Sequence, residues 1–348
     1  MTPLRFAKRT VLRALDFTGL NSRIIDSAWR RHRLLIICWH GVSNDDEHVW
    51  NPNLFMQPEI FRMRLQLLKA MNCNVLPLGE ALSKLRSGTL PPRSVALTID
   101  DGDSSFYLTI WPLLREFHLP ATLYWTTYYS SRPFAVFDPM LSYLLWKGRE
   151  KTLQLRNPKL RCELSTAENR NRTFSAIYQA AGAEAWTADD KESFLVELSE
   201  ILNIDYRQVK SRRVLHLITP TEAQKMASEG LDLQLHTHRH RVPRNQDEFF
   251  TEIAANRKML REVGAECPVH FCYPSGSFLP QFGSWLRESG IVSATTCESG
   301  LADRKADPLF LPRLIDHQGI STAEYKGWLS GISSVFRGIH RMSHHGFQ

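Results

Sequence analysis

The sequence predicts an α/β protein in which a parallel sheet or barrel is covered by helices. Short apolar runs rich in β-branched residues alternate with longer segments that repeat apolar residues at helical spacing. Two groups of polar residues, at 98–102 and 236–240, each come directly after such a run. Both groups are therefore expected at the carboxyl ends of strands, where α/β folds carry their active sites.

The apolar runs give the strands, and the helical repeats between them give the helices. Strands are predicted at 34–38, 95–99, 121–125, 231–235 and 269–273, with further candidates at 291–295 and 310–314. A helix is predicted from about Pro58. A capping box at 219–222 starts another helix, which Gly230 ends. A third runs from about Asp247 to Val263 and stops at Gly264.

This alternation is interrupted between about 130 and 211. Apolar residues recur there at helical spacing after a predicted cap at Thr187, whereas 147–172 is basic and irregular. The segment is predicted to be a mostly helical insertion, either a lid over the site or a surface subdomain. The chain is thus divided into a basic amphipathic segment at 1–33, a barrel at 34–320 and a basic amphipathic tail at 321–348.

Composition excludes several classes of protein. The chain has 348 residues, of which 43% are hydrophobic and 23% charged, as in ordinary globular proteins. No window approaches the roughly 18 apolar residues of a membrane-spanning helix, and the N-terminus lacks the features of a signal peptide. The six cysteines form no CxxC pair, which argues against a zinc finger or a disulfide scaffold. Free thiols in the cytoplasm are expected.

The net charge of +7 is concentrated at the two ends of the chain. Residues 1–33 carry eight basic and two acidic side chains, a net charge of +6, and no acidic residue follows Glu324. Two interpretations remain open: peripheral contact with the anionic inner membrane surface, or solvated helices packed on the domain. Nucleic-acid binding is not expected, because no reading motif accompanies the charge. The oligomeric state is not predicted.

The polar groups indicate metal chemistry. The motif TIDDG at 98–102 places two adjacent carboxylates at the end of a buried strand, which costs free energy unless a cation or a shared proton relieves them. In HTHRH at 236–240, His236 and His240 have the spacing that places two imidazoles on one face of a helical turn. An aspartate and two histidines that leave a position open are the ligand set of a catalytic divalent metal site.

These two motifs resemble the first two motifs of the polysaccharide deacetylases, the NodB-homology or carbohydrate esterase family 4 enzymes. Three further blocks resemble the exopolysaccharide-locus branch, namely CWHGV at 38–42, FCYPSG at 271–276 and LPRL at 311–314. The resemblance covers about residues 34–315. It implies an incomplete or distorted (β/α) barrel of the NodB-homology type, with the site at the carboxyl ends of the strands.

The resemblance also implies a role for each matching residue. Asp101, His236 and His240 match the ligands of a divalent metal ion, which is usually zinc in this family although other divalent ions are accepted. Asp100 matches the general base, which takes a proton from the attacking water. His40 matches the residue that gives a proton to the leaving amine.

The block FCYPSG at 271–276, which corresponds to the third motif of the family and which we call the third block, is expected to contact the substrate. Tyr273, Pro274 and Ser275 match positions that bind the substrate or, through a backbone N–H near Pro274-Ser275, the oxyanion. The common family pattern has an arginine in this block that orients the catalytic aspartate, and this chain has Cys272 there. Arg313, in the last block, is expected to serve instead.

The leading interpretation is a metal-dependent N-deacetylase. Its substrate would be an N-acetylated amino sugar of a bacterial surface polysaccharide or of a lipid-linked precursor, met on the cytosolic side of the membrane. Two alternatives remain open. One is a hydrolase of another acyl or amide group on the same scaffold, and the other is a catalytically silent carbohydrate-binding protein, which the altered third block would allow.

Overall fold

Parallel strands form the centre of the computed structural model, which describes Thr10, Leu12 and residues 20–334. The strands are β1 (Leu35–Trp39), β2 (Gly41–Val42), β3 (Phe55–Met56), β4 (Asn74–Val75), β5 (Ser94–Asp101), β6 (Thr122–Trp125), β7 (Thr152–Leu155), β8 (Leu160–Glu163), β9 (Asp232–Leu235), β10 (His270–Cys272), β11 (Ser293–Thr295) and β12 (Leu314–Ile315). The main sheet has the order β11-β10-β9-β6-β5-β1-β12, and β4 pairs with the start of β5. All of these pairings are parallel.

Residues 311–315 join the two edges of this sheet. Leu311 forms a parallel bridge with Thr295 at the end of β11, and Leu314–Ile315 pair with β1. One segment therefore contacts both edges and curls the sheet into a distorted barrel. The strand predicted at 310–314 occupies this closing position, although its regular pairing begins only at residue 314.

Helices cover the outside of the barrel. They are α1 (Leu20–Ile24), α2 (Ala28–Arg31), α3 (Glu47–Trp50), α4 (Pro58–Ala70), α5 (Leu78–Ser87), α6 (Trp111–Glu116), α7 (Phe137–Lys147), α8 (Ala167–Ala183), α9 (Ala188–Ile201), α10 (Tyr206–Ser211), α11 (Pro220–Ser228), α12 (Gln246–Glu262), α13 (Phe282–Glu288) and α14 (Thr322–Ser330). A π-helical stretch at Phe106–Ile110 leads into α6, and 3₁₀ turns cover Pro274–Gly276 and Ile332–Ser334. Thr219 begins its helix with the predicted capping box, and Thr187, predicted as a cap, also forms a capping box, with Asp190.

The segment between β6 and α11 has a hydrophobic core of its own. Helices α7 to α10 pack around buried residues such as Leu144, Leu195 and Leu198, which form a cluster separate from the core of the barrel. The segment at 147–172, predicted to be irregular, contains an antiparallel hairpin of β7 and β8. Each strand has only four residues, too few for alternation to distinguish a strand from a loop.

The described parts of the two terminal segments meet at the amino ends of the strands. Arg30 in α2 is fully buried. Its Nε donates to the carbonyl of Leu329 and its Nη2 to the carbonyl of Ser94 at the start of β5, each at 3.0 Å. Residues 1–9, 11, 13–19 and 335–348, which carry much of the predicted basic amphipathic surface, lie outside the described residues.

No helix in the described part of the chain combines the length and apolar character needed to cross a bilayer. The six cysteines all lie within the described residues, and all are free thiols, as predicted.

Candidate active site

The two carboxylates of the TIDDG motif lie at the carboxyl end of β5. This strand extends through Asp101, two residues further than predicted, because Asp100 and Asp101 still pair with Tyr124 and Trp125 of β6. Gly102 then turns the chain with a φ of +87°. A Cβ atom at Gly102 would lie 2.4 Å from Cδ1 of Trp125. Both the backbone conformation and this close approach therefore require glycine.

Asp101, His236 and His240 converge on one point. The Nε2 atoms of His236 and His240 lie 3.0 and 3.1 Å from the same atom, Oδ1 of Asp101. The three possible ligand atoms lie within 4.8 Å of one another. Since the His236 side chain is buried while those of Asp101 and His240 are 28% and 35% exposed, the cluster is open to solvent on one side.

A bent loop presents the two histidines, which corrects the helical turn predicted from their spacing. Thr237 and His240 have φ angles of 60° and 55°, in the left-handed region. This conformation folds the loop back so that both rings reach the same carboxylate, with ring centroids 4.9 Å apart. Asn256 of α12 holds the loop, because its Oδ1 accepts from the amide of His236 and its Nδ2 donates to Oγ1 of Thr127.

The donor set fits a divalent cation. Nδ1 of His236 lies 2.9 Å from the carbonyl oxygen of Cys272, which can only accept, so Nδ1 carries a proton. In the neutral ring, Nε2 then faces the carboxylate of Asp101 with a lone pair at 3.0 Å. Two acceptors at this distance repel each other unless a cation or a proton lies between them. Although burial opposes charge on His236, its hydrogen bond with Asp101 raises the pKa of the imidazole.

Arg313 binds Asp100 inside the barrel. Its Nη1 and Nη2 donate to Oδ1 and Oδ2 of Asp100, each at 2.8 Å, and both side chains are buried. Burial alone would raise the pKa of the Asp100 carboxyl, but the charge and hydrogen bonds of Arg313 lower it well below its usual range. Asp100 is therefore ionised at neutral pH. The closing segment at 311–315 brings Arg313 to this position.

Cys272 lies against this ion pair, at the position where the family pattern has an arginine. Its Sγ is 3.3 Å from Oδ2 of Asp100 and 3.2 Å from Nη2 of Arg313. Burial raises the pKa of the thiol, which stays protonated and donates to the carboxylate. A side chain this small leaves room for the guanidinium of Arg313, which enters from the closing segment.

His40 lies beside Asp100 at the end of β1. Its Nε2 is 4.0 Å from Oδ2 of Asp100. Burial lowers the pKa of the imidazole, against the effect of the two nearby carboxylates. Among the described residues, no hydrogen-bond partner faces its Nδ1. The ring is therefore neutral at neutral pH and can accept a proton.

The third block divides between the core and the rim of the site. Tyr273, expected to contact the substrate, is fully buried, donates from its hydroxyl to the carbonyl of Leu309 and stacks on Phe310. This corrects the expectation, because a side chain packed in the core cannot reach a substrate. Pro274 is also buried, whereas Ser275 is exposed and has a φ of 55°.

Two residues of α12 that were not predicted from the sequence support the site. Asn256 holds the histidine loop, and Glu252, which is 2% exposed, accepts from the amide of Arg239 at 2.8 Å. The two stand four apart on the buried face of the helix. Polar residues on an otherwise apolar helix face were the available signal, since a buried polar group needs a partner.

A model of the family described as polysaccharide deacetylase matches residues 87–293, more than half of the chain. The chain belongs to the polysaccharide deacetylase family. This family acts on amide C–N bonds of carbohydrates. The matched region contains both carboxylates, the histidine loop and the third block.

Two curated relatives are poly-beta-1,6-N-acetyl-D-glucosamine N-deacetylases. The one from Staphylococcus epidermidis is 34% identical over 70 residues, which cover 20% of this chain and 24% of that protein. The one from Escherichia coli K12 is 28% identical over 101 residues, which cover 29% of this chain and 15% of that protein. The similarity thus spans about a quarter or less of the length of these polysaccharide deacetylases.

Solved structures of deacetylases resemble the fold over most of the chain. The Streptococcus pyogenes deacetylase PplD, in complex with acetate, has a TM-score of 0.56 and 18% identity, and the match covers 84% of this chain and 96% of that one. IcaB from Ammonifex degensii has a TM-score of 0.54 and 16% identity, with 86% and 97% covered. The predicted fold class, a distorted (β/α) barrel of the NodB-homology type, is confirmed.

Proposed function

We propose that this protein is a metal-dependent N-deacetylase of an N-acetylated amino sugar in a bacterial surface polysaccharide or its lipid-linked precursor. One observation carries the proposal: the ionised, arginine-bound Asp100 lies beside the cluster of Asp101, His236 and His240. A general base next to a possible metal site is what amide hydrolysis requires. Membership of the family and the similarity to two poly-N-acetylglucosamine deacetylases support the same reaction class.

Asp101, His236 and His240 would hold the metal ion. One carboxylate and two imidazoles, one of them fixed by a backbone carbonyl, form a donor set that suits zinc. Such an ion, when bound, polarises a carbonyl oxygen and lowers the pKa of water.

Asp100 and His40 would move the proton. The carboxylate of Asp100 accepts a proton from the water that attacks the acetamide carbon, while Arg313 fixes the orientation of both carboxylate oxygens. His40, neutral and 4.0 Å away, takes this proton and gives it to the amine nitrogen as the C–N bond breaks. The products are acetate and the free amino sugar. The exposed turn at Ser275 supplies a backbone N–H to the developing oxyanion.

Acetate release tests the proposal. Zinc-loaded protein is expected to release acetate from β-1,6-linked N-acetylglucosamine oligomers or from a lipid-linked N-acetyl sugar, and to lose this activity after treatment with a chelator. If folded, zinc-loaded protein binds these sugars without releasing acetate, the protein is a silent carbohydrate-binding protein. Release of a different acyl group from the same sugars would instead favour the broader hydrolase.

Replacing Arg313 by lysine is expected to lower kcat by about 10- to 100-fold, the range for partners that orient a reactive group. Lysine keeps the positive charge but cannot donate to both oxygens of Asp100 in the planar fork that arginine forms. Steady-state acetate release measures the loss, and thermal unfolding and metal content verify that the variant is folded and loaded. Arg287, exposed and paired with Asp307 at the surface, provides a matched lysine control. An unchanged kcat would remove the orienting role of Arg313.

A further inference from the structure

Three arginines contact Tyr128 or Glu252, next to the loop that carries His236 and His240. The guanidinium carbons of Arg132 and Arg239 lie 4.8 and 5.0 Å from the centre of the Tyr128 ring. Arg239 and Arg241 both contact Oε1 of Glu252, at 2.9 and 3.4 Å. We call the three arginines and Tyr128 the arginine patch.

Glu252 binds two of the three arginines, Arg239 and Arg241. This carboxylate is buried, whereas the side chains of Arg239 and Arg241 are 38% and 63% exposed, and Arg132 is exposed as well. Among the described residues, the ion pairs of these three exposed arginines involve a single carboxylate, that of Glu252. Each guanidinium has five N–H donors, more than these contacts use, so donors remain for a ligand. The hydrogen bond from Nη2 of Arg132 to the Tyr128 hydroxyl, at 3.0 Å, orders the third arginine.

The patch adjoins the predicted metal ligands. Arg239 directly precedes His240, and consecutive Cα atoms are about 3.8 Å apart. Tyr128 follows the carboxyl end of β6, and its amide donates to the carbonyl of His238 at 2.7 Å. Arg239 and Arg241 directly flank His240 in the chain, so the arginine patch lies next to the cluster that would receive the acetamide.

Hydrolysis of a neutral acetamide does not use these charges. A planar guanidinium binds phosphate or carboxylate through two parallel hydrogen bonds, and several of them fixed together form a site for such an anion. We propose that the arginine patch binds an anionic group, a phosphate or a carboxylate, carried by the sugar that is deacetylated or by its neighbour. This inference rests on the proposed function and narrows its substrate class to anionic glycans or glycosyl phosphates.

Three acetylated substrates test the inference and separate the two sources of the anion. They are a neutral β-1,6-linked N-acetylglucosamine oligomer, the same sugar as its uridine diphosphate conjugate, and an oligosaccharide in which N-acetylglucosamine alternates with a hexuronate. Wild-type protein is expected to have its highest kcat/KM on one of the anionic substrates, and which one identifies phosphate or carboxylate. In Arg241→Gln and Arg132→Gln, the ratio of kcat/KM between that substrate and the neutral oligomer should fall about 10-fold, the effect of one lost hydrogen bond to a charged group.

Arg115→Gln, which changes an exposed arginine on the outer helix α6, should leave this ratio unchanged. If only the neutral oligomer is hydrolysed, or if the ratio is the same in the Arg241 variant, the inference is overturned while the proposed function stands. If no substrate releases acetate, the proposed function fails, and the affinity of the same sugars for zinc-loaded protein decides the inference. Equal affinities of wild type and Arg241→Gln for the anionic sugars would then overturn it.

Discussion

Replacing Asp100 by asparagine is expected to lower kcat by about 10²- to 10⁴-fold, the usual contribution of a general base, and to leave the metal content unchanged. Asparagine keeps the size of the side chain but cannot accept a proton from water. Because Asp101, His236 and His240 remain, the coordination set stays intact. Acetate release measures kcat, and elemental analysis of the purified protein measures the metal.

This substitution also leaves the buried Arg313 without an anionic partner. Removal of one member of a buried ion pair lowers the free energy of unfolding by about 3–5 kcal/mol. The double variant Asp100→Asn/Arg313→Gln separates the two effects. It should unfold at a higher denaturant concentration than Asp100→Asn alone, and its kcat should be no higher. A single variant that keeps wild-type kcat would exclude Asp100 as the base.

Replacing His236 by alanine is expected to remove the metal and to lower turnover by more than about 100-fold, since even the loss of a residue that supports a ligand costs about 10- to 100-fold. His236 is the buried member of the cluster, and its ring is fixed by the carbonyl of Cys272. Asp101→Ala should behave in the same way. Metal content after dialysis and acetate release are the two measurements.

His238 provides the matched control in the same loop. Its Nδ1 bonds to Oγ1 of Thr127 and takes no part in the cluster with Asp101, so His238→Ala should retain the metal. If His236→Ala retained a full complement of metal, the ion would belong to other ligands. That outcome would contradict the ligand assignment without contradicting the fold.

Sequence predicts those parts of the site that depend on local pattern. The motif at 98–102 follows an apolar run, so its position at a strand end could be derived without a structure. The histidine spacing at 236–240 fits a helical turn and a bent loop equally well, and the left-handed φ angles of Thr237 and His240 decide for the loop. Spacing along the chain does not determine such backbone conformations.

Local sequence pattern does not predict the parts of the site that depend on contacts between segments far apart in the sequence. Arg313 reaches Asp100 only because the closing segment contacts both edges of the sheet, and the resemblance to a family was needed to anticipate it. Asn256 and the arginine patch depend on how α12 packs against two loops. The residues that perform chemistry are thus easier to find in a sequence than those that orient them.

The contact between Arg30, Ser94 and Leu329 has a consequence for how the molecule can be oriented on a surface. Ser94 and Asp101 are the two ends of β5, an eight-residue strand that spans roughly 23 Å. A protein resting on an anionic bilayer through the described helices α2 and α14 would therefore turn its catalytic side toward the aqueous phase. From that position it could reach a soluble sugar or a glycan that extends away from the lipid. A sugar joined directly to a lipid phosphate would lie at the opposite end of the barrel from α2 and α14, so attachment through these two helices is incompatible with action on such a precursor.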